Sequence, residues 1–240
     1  MSHELRDIWV YLSASPLLHL TLTLVAYLGG RWLYQRSGGL AILNPVLLAV
    51  VCLVALLWST DTPYATYFAG AQFVHFLLGP ATVALAIPLY RQVCTVRRSL
   101  PGLLAAIAAG SLTASVSAVL LGRLAGASDT LLLSLAPKSV TTPVAMGITE
   151  RLGGLPSLTA VLVILTGILG AMIGPWLLTR AGIADPRAQG VALGTASHGI
   201  GTARAVQISE TASAFSGLAM GLNALATALL LPLLWHWLAR

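Results

Sequence analysis

Charge is what this 240-residue chain has least of: Asp, Glu, Lys and Arg together make up 8% of it, and lysine occurs once, as Lys138. A soluble domain carries about 25% charged residues, so this scarcity, with 57% apolar residues and a mean hydropathy of +0.88, excludes one. Cysteine is equally sparse. Cys52 and Cys94 have neither metal-ligand nor redox spacing, so no metal and no cofactor is expected. No GxSxG, HExxH or GK[ST] phosphate loop is present. Ser197-His198 is not a nucleophile and base either, because neighbouring helix residues point about 100° apart. No enzymatic activity is expected. The net charge of +6 does not point to nucleic acid, because the arginines punctuate apolar segments as membrane topology requires.

What is there reads as an all-α, polytopic helical membrane protein. A crossing needs about 20 residues, so the length allows about 7–8 membrane segments in a single integral membrane domain covering residues 1–240. The amino terminus shows no small-residue cleavage site, and the first segment, Ile8 to Gly29, is expected to be retained as a span. Further spans are expected at 40–58, 100–121, 155–178 and 215–238, with Trp9, Trp32, Trp58, Trp176, Trp235 and Trp237 at aromatic belts. Arg91, Arg97 and Arg98 form the densest basic loop, read as cytoplasmic.

Two apolar stretches are broken: 64–90 at Gly79-Pro80, and 129–149 at Pro137 and Pro143. Both are read as broken or re-entrant helices. Leu78-Gly79-Pro80-Ala81-Thr82-Val83 matches Leu135-Ala136-Pro137-Lys138-Ser139-Val140 as Leu, small, Pro, any, hydroxyl, Val. Interrupted segments in two parts of a membrane chain point to a transporter site built from an internal repeat.

The lone lysine falls inside the second of these. An intramembrane cation costs roughly 2.5–3.5 kcal/mol on insertion scales and usually faces protein, water or an anion. Lys138 is therefore the first candidate for a substrate contact; the alternative is a side chain that snorkels to the headgroups. A third stretch, 191–206, carries Gly194, Ser197, His198 and Gly201 on one face if it is helical, continued by Arg204. Lys138, Ser139, Thr141, Thr142, Ser197, His198, Thr202 and Arg204 together would suit a small carboxylate, Lys138 as a point charge and Arg204 as a fork. Arg204 could equally be an interfacial anchor paired with Glu210. Asn44, Asn223 and Thr82 are further candidates to line the site. Proton coupling, if present, falls to His198, Glu150 or Glu210; His198 could instead be a hydrogen-bonded packing group. Gly217 and Gly221 supply a GxxxG packing surface, and assembly as a homo-oligomer is expected.

Four blocks in order, 135–145, 154–160, 196–204 and 214–223, give the chain a family likeness, extended to the first half by 79–86 and 88–90. With these blocks it resembles the LrgB/CidB family of bacterial membrane proteins from about Asn44 onward. The resemblance implies one of two function classes. One is a holin/antiholin-like protein that modulates murein hydrolase activity and cell lysis with a smaller LrgA/CidA-type partner. The other is a carrier, since plant relatives are plastid glycolate/glycerate transporters and bacterial relatives have been linked to pyruvate. A pore needs no ordered anion site, so the broken helices and convergent donors favour a carrier of small monocarboxylates. By analogy the fold lies near the cation/proton antiporter and anion transporter group, with alternating access. The expected location is the bacterial inner membrane, as a multi-pass protein in the lipid bilayer.

Overall fold

The computed structural model describes residues 15–38 and 40–238. Ile8 to Ala14, the start of the expected first span, and with it Trp9, lie outside the described residues. Among those described there is no strand. The chain forms two compact units, one ending at Ala84 and one beginning at Leu85.

The first unit holds α1 (Pro16–Arg36), a 3-10 turn (Ala41–Leu43), α2 (Pro45–Ser59), α3 (Tyr64–Phe76) and α4 (Leu78–Ala84). Proline opens α1 and α2, where its missing N–H is one of the helix's unpaired donors anyway. Asn44 caps α2, its Oδ1 accepting from the backbone N–H of Val46 at 2.9 Å and Leu47 at 3.2 Å. The expected first span stops too early, because α1 runs through Gly29-Gly30 to Arg36. Gly30 is needed there: a Cβ would lie 3.0 Å from the Pro45 carbonyl oxygen. Gly79-Pro80 does not break its segment. Both residues lie in α4, with Pro80 in the first turn, where proline is tolerated, and the interruption before them falls at Leu77, which keeps right-handed backbone (φ −67°, ψ −12°).

The second unit comprises α5 (Ala86–Arg91), α6 (Val93–Leu124), α7 (Asp129–Leu135), α8 (Thr142–Leu152), α9 (Pro156–Arg180), α10 (Pro186–Ile208) and α11 (Glu210–Leu238). α11 is its axis, packing on α5, α6, α8 and most extensively on α10, whose other neighbours are α9 and α6. Arg97 and Arg98 are not in a loop as expected. They lie in the opening turns of α6, which starts at Val93 despite the weak helix propensity of Val93-Cys94-Thr95-Val96. The six-position sequence match also fails to carry over to the backbone: Leu78–Ala84 is helix, whereas 136–139 is turn and 140 a bend.

Outward faces are apolar. Leu17, Val54, Leu121, Leu124, Leu229 and Leu233 are all more than half exposed, which water tolerates poorly and lipid does not penalise. Trp32, Trp58 and Trp176 stand exposed near helix ends, as an aromatic belt requires. Among the described residues four stretches are long and apolar enough to cross a bilayer: Tyr64–Arg91, Val93–Leu124, Pro156–Arg180 and Glu210–Trp235; Pro45–Ser59 is a shorter apolar helix. The chain is a multi-pass, all-α membrane protein.

Candidate functional site

Two breaks in the second unit create the site. Between α7 and α8 the backbone leaves helix at Ala136 and re-enters at Thr142. Pro137 lacks an N–H and disfavours continued helix, and Pro143 sits in the first turn of α8, where proline is tolerated. Helical hydrogen bonds are replaced by local ones, Lys138 N–H to the Leu135 carbonyl at 3.1 Å and Val140 N–H to the Pro137 carbonyl at 3.2 Å. The ends are anchored by hydroxyls. Ser134 Oγ accepts from Leu155 N–H at 2.9 Å, and Thr159 Oγ1 contacts the Ser134 carbonyl at 3.0 Å and Thr149 Oγ1 at 2.9 Å.

The second break was not expected. Within α10, Ser197 (φ −129°, ψ 15°) and His198 (φ 42°, ψ −132°) leave helical geometry, so the single face drawn through Gly194, Ser197, His198, Gly201 and Arg204 does not exist as drawn. A positive φ at histidine costs on the order of 1–3 kcal/mol. Packing over-determines it. His198 Nε2 donates to the Val163 carbonyl at 2.9 Å, and Thr202 Oγ1 donates to the His198 carbonyl at 2.9 Å. With its hydrogen so used, Thr202 accepts from Ser216 Oγ at 3.0 Å. Glycines on α9 make the room. A Cβ on Gly167 would lie 2.7 Å from the imidazole, and one on Gly170 would overlap Ser197 Oγ.

Asn223 of α11 joins the two breaks. Its Nδ2 donates to the Ser139 carbonyl at 3.2 Å and to the Thr195 carbonyl at 3.0 Å. The amide is 1% exposed. Two carbonyls fix its orientation, leaving Oδ1 as an acceptor, and Oδ1 and Thr195 Oγ1 are both buried without a hydrogen-bond partner among the described residues.

The clamp ties the segment that carries Lys138, Ser139, Thr141 and Thr142 to the one that carries Ser197, His198 and Thr202. Ser139, Ser197, His198 and Thr202 are buried, while Lys138, Thr141 and Thr142 are half-buried. Lys138 makes no ion pair with any described residue. Arg204 stands apart. It lies about 9 Å of helical rise beyond His198, and its guanidinium donates to Gln207 Oε1 at 2.6 Å. Its expected alternative partner, Glu210, is taken instead by Arg91 at 3.3 Å. Glu150 is exposed in the last turn of α8, and Glu210 is exposed at the start of α11, so neither carboxylate joins the cluster. Asn44 and Thr82 belong to the first unit. Thr195 was not among the sequence candidates, although its i, i+3 spacing to His198 would place it beside that residue on a helix.

A cavity of about 830 Å³ lies between α6, α10 and Phe215 of α11, with Arg98, Asp185 and Arg187 among its polar residues and Gly110 and Thr195 on its wall. Asp185 caps α10 and accepts from Arg187 Nη2 at 2.6 Å and Nε at 3.0 Å. The Arg187 side chain, and then its backbone N–H, hold the Asp185 carboxyl below the usual carboxylate range. A lowered folded-state pKa contributes stability above the ordinary value that is lost as pH falls through the lowered one. An Asp185→Asn variant should therefore show a flatter loss of melting temperature below about pH 4, by a small amount because the pair is solvent-screened.

A family model described as "LrgB-like family" matches residues 23–237. Among relatives, uncharacterized protein YwbG of Bacillus subtilis (strain 168) is 38% identical over 91% of this chain and 96% of its own length. YxaC of the same strain is 39% identical over 85% and 88%. The antiholin-like protein LrgB of Bacillus mycoides (strain KBAB4) is 30% identical over 91% and 95%. No solved structure matches.

Proposed function

The chain belongs to the LrgB-like family, and on that premise we propose that it is a secondary carrier of small monocarboxylates of the glycolate, glycerate or pyruvate class. The observation that carries this reading is the meeting of two helix breaks under one amide, Asn223, beside a lysine with no carboxylate partner. Broken helices at the midplane are how membrane carriers present freed backbone groups and half-helix ends to an ion. Lys138 supplies the counter-charge for the carboxylate, and Ser139, Thr141, Thr142, Ser197 and Thr202 supply hydroxyls. Arg204 serves as an outer cation rather than as half of a clamp. His198 is the candidate for proton coupling, because its ring alone among the candidate proton carriers is buried in the cluster. Alternating access follows if α10 and the 136–141 segment move relative to each other. The natural setting is the bacterial inner membrane.

A second reading is favoured by the printed name of the Bacillus mycoides relative, antiholin-like protein LrgB. In that reading the chain assembles with itself and with an LrgA/CidA-type partner to modulate murein hydrolase activity and lysis. Neither reading calls for enzymatic chemistry. Reconstitution into proteoliposomes separates the two. The carrier reading expects saturable uptake of labelled glycolate, glycerate or pyruvate with no leak of large, unrelated solutes. Unsaturable leakage of such solutes, or uptake of none of the three acids with or without the partner, would sink it.

A further inference from the structure

The cavity walled by α6, α10 and Phe215 is charged at one end and apolar beyond it. Arg98, Ser99, Asp185 and Arg187 stand at the opening turns of α6 and α10, where the two helices share a membrane face. Arg91 and Arg180, which end the preceding helices α5 and α9, lie at that face too, whereas Arg123 and Arg151 close α6 and α8 at the other. The positive-inside bias therefore makes the charged end cytoplasmic. Arg187 is held by Asp185, but Arg98 is exposed and makes no ion pair with any described residue. Past this end the wall is built of Gly102, Leu103, Ala106, Val191, Ala192 and Phe215, with neighbours of the same kind. Thr195 carries the one hydroxyl along that stretch. Its methyl is turned toward Gly110, where an added Cβ would meet it at 2.9 Å, and its oxygen is buried. A small polar anion would find no side chain to bond beyond the mouth. From Pro101 to Ala114 the helical rise is about 20 Å, against roughly 15 Å of hydrocarbon in one leaflet.

We propose that this groove binds an anionic phospholipid of the cytoplasmic leaflet, with the headgroup phosphate on Arg98 and one acyl chain along the recess between α6 and α10. The order of charge matches the ligand. A phospholipid is an anion joined to an apolar chain, and the groove is a free guanidinium followed by an apolar wall running into the membrane. Arginine suits phosphate because its planar fork donates two parallel hydrogen bonds, and basic pockets between helices on the cytoplasmic side are where membrane proteins hold such headgroups. One unpaired cation suits a headgroup with one net negative charge, as in phosphatidylglycerol. The volume, about 830 Å³, lies within the usual range for ligand sites, about 300–1,000 Å³, so the groove takes one chain while the other stays in the bilayer. A partner's transmembrane helix is about 10–12 Å across. Because α6 and α10 meet at Gly110 and Thr195, such a helix would ride over the recess rather than enter it. Gly102 leaves the groove open, since a Cβ there would meet nothing within 4 Å. The proposal does not depend on what the chain transports.

The test uses the full-length protein purified in detergent and titrated with phosphatidylglycerol or with phosphatidylcholine of the same chains. Native mass spectrometry reads the bound lipid, and the melting temperature reads its effect. One basic residue near a membrane surface corresponds to about a fivefold change in affinity for an anionic lipid. Wild type should bind one phosphatidylglycerol saturably and about fivefold tighter than phosphatidylcholine, and Arg98→Gln should bring the two lipids level. Gly102→Leu, which fills the groove, should weaken both. Gly221→Leu is the control, since a Cβ there also meets nothing within 4 Å and Gly221 is not on the cavity wall. Lipid-free melting temperatures of all three variants should stay at or above wild type, which keeps folding out of the comparison. Inorganic phosphate should not displace the lipid. Equal binding of the two lipids by the wild type overturns the proposal, as does wild-type phosphatidylglycerol binding by Arg98→Gln or Gly102→Leu. Displacement by phosphate alone would leave a bare anion site and overturns it too. A change of oligomeric state in Gly102→Leu with lipid binding intact would give the groove to a protein partner instead.

Discussion

Asn223→Leu should lower the melting temperature sharply and abolish uptake. The substitution strips the only side-chain donor among the described residues from two carbonyls, Ser139 and Thr195, in a site where the amide is 1% exposed. A buried polar group left unpaired costs roughly 1–3 kcal/mol. Two such groups approach the lower end of a domain's whole stability, about 5–15 kcal/mol. Asn223→Asp should be worse still. It keeps the shape but replaces the donor with a carboxylate oxygen facing carbonyl oxygens, and a buried unpaired charge is costlier than a buried unpaired dipole. Thermal unfolding of the purified variants in detergent checks the order: wild type above leucine, leucine above aspartate. Equal stability of leucine and wild type would mean that the clamp does not hold the breaks together.

Gly194→Ala should be nearly as damaging, for a steric reason. The added methyl would overlap the Ser216 carbonyl oxygen and lie 2.9 Å from Ser216 Cα, and one turn earlier Gly190 meets Ala212 in the same way. Small residues four apart on α10 face small residues four apart on α11, so the backbones touch. Backbone atoms cannot swing aside, and overpacking of this kind costs about 1–3 kcal/mol or more. Gly199→Ala is the control. Its nearest neighbour would be the flexible Met220 thioether at 3.9 Å. Gly194→Ala should cut folded yield and melting temperature while Gly199→Ala leaves both near wild type; equal effects would show that α10 and α11 can separate without loss.

The sequence made the membrane character and the first break legible for one reason each. Eight per cent charge cannot solvate a soluble surface, and the two prolines around Lys138 each remove a helical hydrogen-bond donor within a short stretch. The second break was illegible because Ser197 and His198 carry no helix-breaking signature; it is imposed by α9 glycines more than 20 residues away and by the Val163 carbonyl. Assuming an unbroken helix put Arg204 on the face of Ser197 and Gly201, an alignment that the break at 197–198 removes. Glu210 was paired with its neighbour Arg204 because sequence favours local partners, whereas its actual partner, Arg91, is 119 residues distant. Pro80 misled in the opposite direction, since a proline in a first turn ends nothing. Asn223 shows the same limit: its type and burial could be guessed, but its role as a clamp depends on two breaks, only one of which could be seen.

The carrier account depends most on Lys138, so the decisive measurement is saturable glycolate uptake into proteoliposomes by wild type, Lys138→Ala and Lys138→Arg, at matched folded protein. A charge-assisted contact is worth about 1.5–3 kcal/mol, and the account predicts that alanine weakens half-saturation by roughly 10–150-fold while arginine, which keeps the charge, retains part of the transport. Unchanged uptake by the folded alanine variant would contradict it and leave Lys138 a structural residue.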